Sequence, residues 1–155
     1  MSVASLLKRA ANAARPLFEG GHIKLEIEAP GALPELRVDS ERVLRVFENL
    51  VDNALKFTDR QGSVVLRAWA EPDGMRFCVA NSGPALTAAE MEIMFKPFWQ
   101  AGQDDARGAG LGLSICRSIV EAHGGTIWPE PQPGMRVRIS FTLPLAGPRA
   151  REIAA

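Results

Sequence analysis

The chain has 155 residues, enough for one domain that buries its own hydrophobic core. Basic and acidic residues number 18 each, so the formal net charge is zero, which argues against a surface built to coat nucleic acid or an anionic membrane. The absence of a bilayer-spanning apolar run and of a signal peptide predicts a cytoplasmic segment without direct membrane contact, although the parent protein can still be membrane-anchored. Cys78 and Cys116 form no metal-type pair and are expected to be small buried side chains.

The first predicted elements are a short helix and a strand. Residues 2–15 are rich in alanine and leucine, which is typical of a helix, and Pro16 is expected to break it. Apolar and charged residues alternate over 22–29, which predicts a half-buried strand with Ile27 on its buried side and His22 on its outer side.

A long amphipathic helix follows, capped by Asp39 or Ser40 and ending near Phe57. Two strands are predicted next, at about 63–70 and 75–80, joined by a Pro72-Asp73-Gly74 turn in which Gly74 is expected to have a positive φ. A short helix with a Thr87/Glu90 capping box and a mobile polar loop at 100–107 follow. The last predicted elements are a helix at about 110–122 and strands at 126–128 and 135–143. Alternating strands are covered on one face. The pattern therefore predicts an α+β two-layer sandwich, with a mixed, largely antiparallel sheet covered on one face by three helices.

The long helix carries a polar stripe of Asn49, Asn53 and Lys56. At about 100° per residue these side chains fall within an arc of roughly 60°, nearly opposite the apolar face. An amide oxygen is a hard, neutral ligand suited to Mg²⁺, and a lysine supplies a point charge for phosphate. A solvated polar face is the alternative interpretation, although two asparagines are poor helix formers.

Alternate glycines open the next long helix at Gly108, Gly110 and Gly112. They allow close approach of backbone or phosphate, and the helix N-terminus behind them offers unpaired N–H groups to an anion. A flexible hinge is the alternative. The segment is not the dinucleotide-binding fingerprint, because no strand directly precedes it, and a Walker A motif is absent.

Four segments taken in order resemble the ATP-binding catalytic domain of bacterial sensor histidine kinases. This family lies within the gyrase, heat-shock chaperone and mismatch-repair ATPase superfamily, and the likeness covers about 39–143. Residues 47–57 resemble its N box, 94–100 its F box, and 108–113 its G2 box. The resemblance implies the Bergerat ATP-binding fold with ATP and Mg²⁺ as ligands.

The resemblance also implies roles for individual residues. Asn53 would coordinate Mg²⁺, Asn49 and Lys56 would lie near the phosphates, and the G2 glycines would hinge a lid that the F box seats. The ATP-binding residues that it implies are Asn49, Asn53, Lys56, Phe57, Asn81, Gly83, Ala85, Phe98, Arg107, Gly108, Gly110, Leu111, Gly112 and Leu113.

The segment that begins at Asn81 departs from the family's D-x-G-x-G box. The aspartate that reads the adenine amino group is Asn81 here, Gly83 is kept, and the second glycine is Ala85. An amide oxygen still accepts a hydrogen bond, but a charge-assisted bond becomes a neutral one, a loss on the order of 1 kcal/mol. The cost of Ala85 depends on whether the site needs a positive φ there.

The residue four positions before Asn53, the implied magnesium ligand, distinguishes hydrolytic relatives and serine kinases from histidine kinases. Hydrolytic relatives and anti-sigma-factor serine kinases have a glutamate there as general base, whereas this chain has Asn49. Glu48 lies one residue away, rotated by about 100°, so its catalytic help would be indirect. The resemblance therefore favours a histidine kinase, in which a histidine of a partner domain is the nucleophile. Neither His22 nor His123 matches that histidine.

The chain is accordingly expected to be a catalytic fragment. Residues 1–20 would lead from a missing dimerisation and phosphoacceptor domain, 21–145 would bind ATP, and 146–155 would be a flexible tail. The expected partners are that phosphoacceptor domain and a downstream response regulator, with no nucleic acid. Two alternatives stay open: a degenerate domain that binds a protein partner, and a free-standing serine kinase.

Overall fold

The computed structural model describes residues 2–29, 34–59, 61–96 and 112–145, except the side chain of Leu17. Its helices are α1 (Val3–Gly21), α2 (Ser40–Lys56), α3 (Ala88–Ile93) and α4 (Gly112–Ala122). Its strands are β1 (Lys24–Glu28), β2 (Ser63–Glu71), β3 (Gly74–Asn81), β4 (Ile127–Glu130) and β5 (Val137–Pro144). None of the helices in this part of the chain is both long and apolar enough to cross a bilayer.

The strands form one sheet in the order β1-β2-β3-β5-β4. Only β1 and β2 are parallel among these neighbours, and the other pairs are antiparallel. Helices α1, α2 and α4 contribute buried side chains to the core on one face. The predicted two-layer sandwich with a mixed, largely antiparallel sheet is confirmed.

Three phenylalanine rings join α2 to the centre of the sheet. Phe47 meets Phe77 and Phe141 edge-on at 5.4 Å between ring centroids, and the latter two stack at 5.0 Å. All three side chains are at most 1% exposed. Aromatic side chains bury large areas and prefer these offset and edge-on arrangements, so this cluster fixes the face that α2 turns to the sheet.

Helices α2 and α4 pack antiparallel through contacts at both ends and in the middle. The Asp39 N–H, at the N-cap of α2, donates to Nε2 of His123 at 3.1 Å, while Nδ1 of His123 lies 2.8 Å from the Ile119 carbonyl oxygen. The Cys116 thiol donates to the Val46 carbonyl oxygen at 3.6 Å. These contacts set the register of the two helices.

The prediction that Pro16 ends the first helix is wrong. Helix α1 continues through Pro16 to Gly21, and His22 ends it in the left-handed conformation with φ 55°. Proline removes one helical hydrogen bond, but Ala14 and Phe18 are buried on either side of it and hold the helix against the core. Tertiary packing therefore outweighs the local preference.

The predicted burial and extent of the first strand are also wrong in part. His22 precedes β1 as the cap of α1 and is not a strand residue. Ile27 is 37% exposed, because β1 is an edge strand that α1 covers incompletely. A groove between the two elements is lined in part by Leu7, Ala11 and Ile27.

Two local predictions about turns have different outcomes. Thr87 and Glu90 form the expected capping box at the start of α3, with both hydrogen bonds at 3.1 Å. Gly74, however, does not have the positive φ expected of it. Its glycine is required because a Cβ there would collide with the Leu143 carbonyl group of β5.

The sheet face away from the helices is covered by its own long side chains. Arg76 lies over the rings of Trp69 and Trp128, at 5.1 and 4.9 Å from their centroids. The Glu130 carboxylate accepts from Arg76 at 2.7 Å and from Arg138 at 2.7 Å. The outward-facing side chains of Cys78 and Ser140 are consequently fully buried.

This network holds Glu130 in its charged form. Burial alone would raise the pKa of the Glu130 carboxyl, but hydrogen bonds from Trp128, Ser140 and Arg138 outweigh it and lower the pKa to about 2. Because the folded pKa lies below the ordinary value of 4.5, ionised Glu130 stabilises the fold above that pH. The contribution is lost as the pH falls towards 2.

We expect Glu130→Gln to lower the free energy of unfolding at pH 7 by about 2 kcal/mol, because it removes the charge from several hydrogen bonds. The difference from the wild type should shrink as the pH falls below 4.5. Urea denaturation between pH 7 and pH 3 measures both effects. Glu28→Gln is the matched control, since the Glu28–Arg67 ion pair is half-exposed and such pairs contribute little. A pH-independent difference would contradict this assignment.

The chain leaves β3 through a turn that needs one glycine. Gly83 has φ +139°, a backbone conformation that is essentially restricted to glycine, whereas Ala85 has no positive φ. We expect Gly83→Ala to cost about 1–3 kcal/mol and Ala85→Gly to cost less than about 1 kcal/mol. Chemical denaturation of both variants checks this, and equal losses would contradict it.

Candidate functional site

The C-terminal half of α2 carries the predicted polar stripe. Asn49, Asn53 and Lys56 are each half-buried, whereas neighbouring Glu48 and Asp52 are exposed. The stripe therefore lies at the boundary between core and solvent, which disfavours the alternative of a fully solvated polar face. Glu48 is exposed, and its indirect catalytic role stays a prediction.

The side chain of Asn49 faces the beginning of α4. A Cβ added to Gly112 would lie 3.9 Å from Oδ1 of Asn49, so the glycine keeps the space beside the amide open. Nδ2 of Asn49 is buried and forms no hydrogen bond of ordinary geometry among the described residues, and the side chain with which the amide interacts is the weakly accepting Cys116 thiol. Such a group costs about 1–3 kcal/mol when it is left unpaired, so the arrangement favours an acceptor at this position.

A cleft opens between the end of α2 and the end of β3. Asn53, Asn81 and Arg136 contribute the polar part of its lining, and the apolar part comes from Phe57, Leu86, Met94 and Val137. The structure thus brings together residues of the predicted N box and of the segment that begins at Asn81. The open volume between these side chains is only about 10 Å³, room for roughly one water molecule, so a larger group would have to part them.

Asn81 is the last residue of β3 and is only 3% exposed. It pairs with Val64 of β2 and Val137 of β5, on the sheet face that the helices cover. Its Nδ2 donates to the Ser82 carbonyl oxygen at 3.4 Å, which is longer than an ordinary hydrogen bond. The amide is therefore held in place by the strands more than by its own hydrogen bond.

The turn after Asn81 packs against Phe57 and Arg136, which line the cleft. Gly83 lies close to both residues: a Cβ added to it would be 3.5 Å from Cβ of Arg136 and 3.6 Å from the Phe57 carbonyl oxygen. The Leu86 N–H then donates to the Arg136 carbonyl oxygen at 3.0 Å. Ala85 is exposed and needs no positive φ, so its departure from the family's glycine places no strain on this turn.

Arg136 is a residue of the cleft that the sequence did not reveal. The Arg136 guanidinium lies 4.8 Å from the centroid of the Phe57 ring. The backbone N–H of Arg136 donates to the Asn81 carbonyl oxygen at 2.7 Å. The sequence placed Arg136 inside a predicted strand at 135–143, whereas β5 begins at Val137 and leaves Arg136 in the turn beside the cleft. Its proximity to Phe57 and Asn81 follows from the pairing of β3 with β5.

The predicted aromatic segment and glycine-rich turn are described only in part. Met94 and Phe95 are buried, and Arg117 of α4 lies 4.8 Å from the Phe95 ring centroid. Leu113 is 7% exposed and belongs to the core. The predicted site residues Phe98, Arg107, Gly108, Gly110 and Leu111 lie outside the described residues.

The histidines and cysteines do not form a further site in the described part of the chain. His123 is buried with both ring nitrogens near backbone groups, and His22 caps α1. Burial raises the pKa of the Cys116 thiol to about 12 and also raises that of Cys78, so both stay protonated at neutral pH. No three His, Cys, Asp or Glu side chains cluster there in a way that could hold a metal ion.

Known proteins with similar sequences are sensor kinases. The chain is 34% identical over 140 residues to the alginate biosynthesis sensor protein KinB of Pseudomonas aeruginosa. The match includes 90% of the chain but 23% of KinB, so the chain spans about a quarter of that relative's length.

Solved structures of histidine kinases share the fold. The nucleotide-free catalytic domain of ThkA superposes with a TM-score of 0.85 at 29% identity, covering 94% of both chains. Full-length ShkA in complex with AMPPNP gives a TM-score of 0.83 at 30% identity, with 95% of this chain and 31% of ShkA covered. ThkA in complex with the response regulator TrrA gives 0.79 at 29% identity, with 94% and 41% covered.

The sequence family described as histidine kinase-, DNA gyrase B- and HSP90-like ATPases matches residues 38–147. That range contains the polar stripe of α2, the cleft and the start of α4, and it covers more than half of the chain. This chain therefore belongs to the histidine kinase-, DNA gyrase B- and HSP90-like ATPase family.

Proposed function

We propose that the chain binds Mg-ATP and donates the γ-phosphate to a histidine on a separate phosphoacceptor domain. It would act as the catalytic part of a sensor histidine kinase in two-component signalling. The observation that carries the proposal is that Asn49 and Asn53 are half-buried on one face of α2, with Asn49 beside the start of α4 and Asn53 in the lining of the cleft.

The residues present fit a magnesium–phosphate group. Asn53 offers a neutral amide oxygen to the metal, and Nδ2 of Asn49 offers a donor to a phosphate oxygen. Mg²⁺, when bound, would neutralise negative charge on the phosphates. Lys56 and the N-terminal end of α4 would add positive potential on the same side. The base would contact the aromatic and aliphatic side chains near Asn81 once these parted, since the cleft between them has an open volume of only about 10 Å³.

The reaction needs a nucleophile from outside the described site. A histidine nitrogen of the partner domain would attack the γ-phosphorus, and the bond from that phosphorus to the β–γ bridging oxygen would break to release ADP. His123 is buried in the α2–α4 contact and His22 ends α1, so neither is presented to this cleft. We propose that Asn49 orients the phosphate and that the exposed Glu48 helps only indirectly.

Structures of two similar histidine kinases support the proposed ligands and partners. ShkA was solved with AMPPNP, and ThkA was solved with a response regulator. We therefore propose a phosphoacceptor and dimerisation domain as the immediate partner and a response regulator downstream. A degenerate, non-binding domain is the second candidate, and the neutral Asn81 at the base-reading position favours it.

We expect Mg-ATP at about 100 times its dissociation constant to stabilise the chain by about 2.7 kcal/mol. For a domain of this size that corresponds to a rise of several degrees in the melting temperature. Asn53→Ala should remove the magnesium-dependent part of this rise and leave the fold intact, because the side chain is only half-buried. A thermal-shift titration with and without Mg²⁺ measures it.

Asn12→Ala is the matched control for Asn53→Ala, since Asn12 is exposed on α1 and lines no part of the cleft. It should keep the full magnesium-dependent rise. No shift of the wild type at millimolar nucleotide would favour the degenerate domain. An unchanged shift in Asn53→Ala would show that the metal ligand is misassigned.

We expect the chain alone to gain no phosphohistidine from γ-labelled ATP, because no described histidine faces the cleft. Adding the phosphoacceptor domain of the parent kinase in trans should produce acid-labile label on that domain. Gel autoradiography before and after acid treatment measures both. Acid-labile label on the isolated chain would contradict the proposed division of roles, and acid-stable label would favour a serine kinase.

A further inference from the structure

The edge of the sheet at β1 has no neighbouring strand in the described part of the chain. The Lys24 N–H donates to the Gly62 carbonyl oxygen at 3.0 Å, so the backbone of Lys24 and of each second residue after it faces β2. The N–H and C=O groups of Leu25 and Ile27 consequently point away from the sheet. An unpaired edge of this kind is a template for pairing with another strand.

The apolar side chains of this edge lie on the side of α1. Ile23 and Leu25 pack against the core, whereas Ile27 is 37% exposed, more than any other large apolar side chain that the structure describes. Two grooves between α1 and β1, with open volumes of about 400 and 650 Å³, share Ile27 in their lining. Ile23 and Ile27 stand at equal distances on either side of Leu25.

The other face of β1 carries charges of opposite sign at equal distances from the same centre. Lys24 and Glu26 flank Leu25 and form an ion pair at 2.8 Å, with 72% and 39% of their side chains exposed. Glu28, at the end of the strand, is already paired with Arg67 at 2.8 Å. Residues 23–27 therefore form a segment whose apolar positions match, and whose charges complement, those of its own copy in antiparallel orientation.

We propose that the open edge of β1 pairs with the same edge of a second copy of this chain, antiparallel about a two-fold axis at Leu25. The two Leu25 residues exchange N–H to carbonyl hydrogen bonds, and each Ile27 N–H donates to the Ile23 carbonyl oxygen of the second copy. Each Ile27 then packs on Ile23 of the other copy, and each Lys24 faces Glu26. The charge complementarity of these two side chains selects a second copy as the occupant of this edge.

Two observations disfavour the neighbouring registers. Pairing centred on Glu26 would set two copies of that carboxylate opposite each other, and like charges in that position destabilise a strand pair. Pairing centred on Lys24 would oppose two cations and would also need the Ile23 N–H, which already donates to the Phe18 carbonyl oxygen at 3.2 Å. No β1 residue is among the described residues that line the cleft, so the inference does not rest on the proposed function.

Sedimentation equilibrium of the wild-type chain tests the pairing directly. A strand pair of five residues is smaller than a standard stable interface, so we expect the dimer only at high chain concentration. Between about 10 µM and about 1 mM, a range that detects weak association, the mean mass should rise above the 16.8 kDa of one chain. A chain that stays monomeric at about 1 mM would overturn the inference.

A charge swap tests the register. Lys24→Glu alone and Glu26→Lys alone should each weaken the dimer by about tenfold, because two opposite-charge pairs become like-charge pairs. The double variant Lys24→Glu/Glu26→Lys restores both pairs and should recover the wild-type dissociation constant within about threefold. Singles without effect, or a double variant that does not recover, would overturn the proposed pairing.

Arg45→Glu is the matched control, since it makes the same change in net charge as Lys24→Glu at an exposed position of α2. It should leave the dissociation constant unchanged. Ile27→Lys gives a second test that keeps the charge pairs: it places a cation in each apolar pair and should abolish the dimer. Melting temperatures at low concentration check that every variant is folded, and a dimer that survives in folded Ile27→Lys would place the interface elsewhere and overturn the inference.

Discussion

The antiparallel packing of α2 on α4 is the constraint on which the site depends. His123 joins the end of α4 to the N-cap of α2 at Asp39, and the Cys116 thiol meets the Val46 carbonyl oxygen midway. With those contacts fixed, the helical rise of 1.5 Å per residue places Gly112 beside Asn49. The juxtaposition of the amide with the start of α4 is therefore a consequence of helix packing and needs no ligand to form.

The same packing explains why Asn49 can carry an unpaired donor. Phe47 and Leu50 are buried on the core side of α2, and their burial supplies the free energy that holds the helix in place. An unpaired amide costs about 1–3 kcal/mol, which a core of this size tolerates. The packing of α2 on α4 therefore holds the Asn49 amide beside Gly112 in a fixed orientation.

Sequence patterns predicted the helices and strands whose formation depends on residues close together in the chain. The cap at Asp39 and the heptad-like apolar spacing set the bounds of α2, and both depend on residues within a few positions of each other. The continuation of α1 through Pro16, the exposure of Ile27 and the position of Arg136 in the cleft were not predictable in this way. Each depends on a neighbour distant in sequence: the core under α1, the uncovered sheet edge, and the pairing of β5 with β3.

The two faces of the sheet carry different kinds of side chain at the end of β3. Asn81 and Val137 are paired on the helix side, and the adjacent pair in the same register, Ala80 with Arg138, belongs to the opposite face. There Arg138 is held by Glu130 of β4, which links three strands through one carboxylate. Because successive residues of a strand point to opposite faces, the ion pairs of the outer face can hold β3 and β5 together without placing a carboxylate among the described residues that line the cleft. The end of β3 at the cleft can therefore bury a neutral amide, Asn81, while the carboxylate that links the strands stays on the other face.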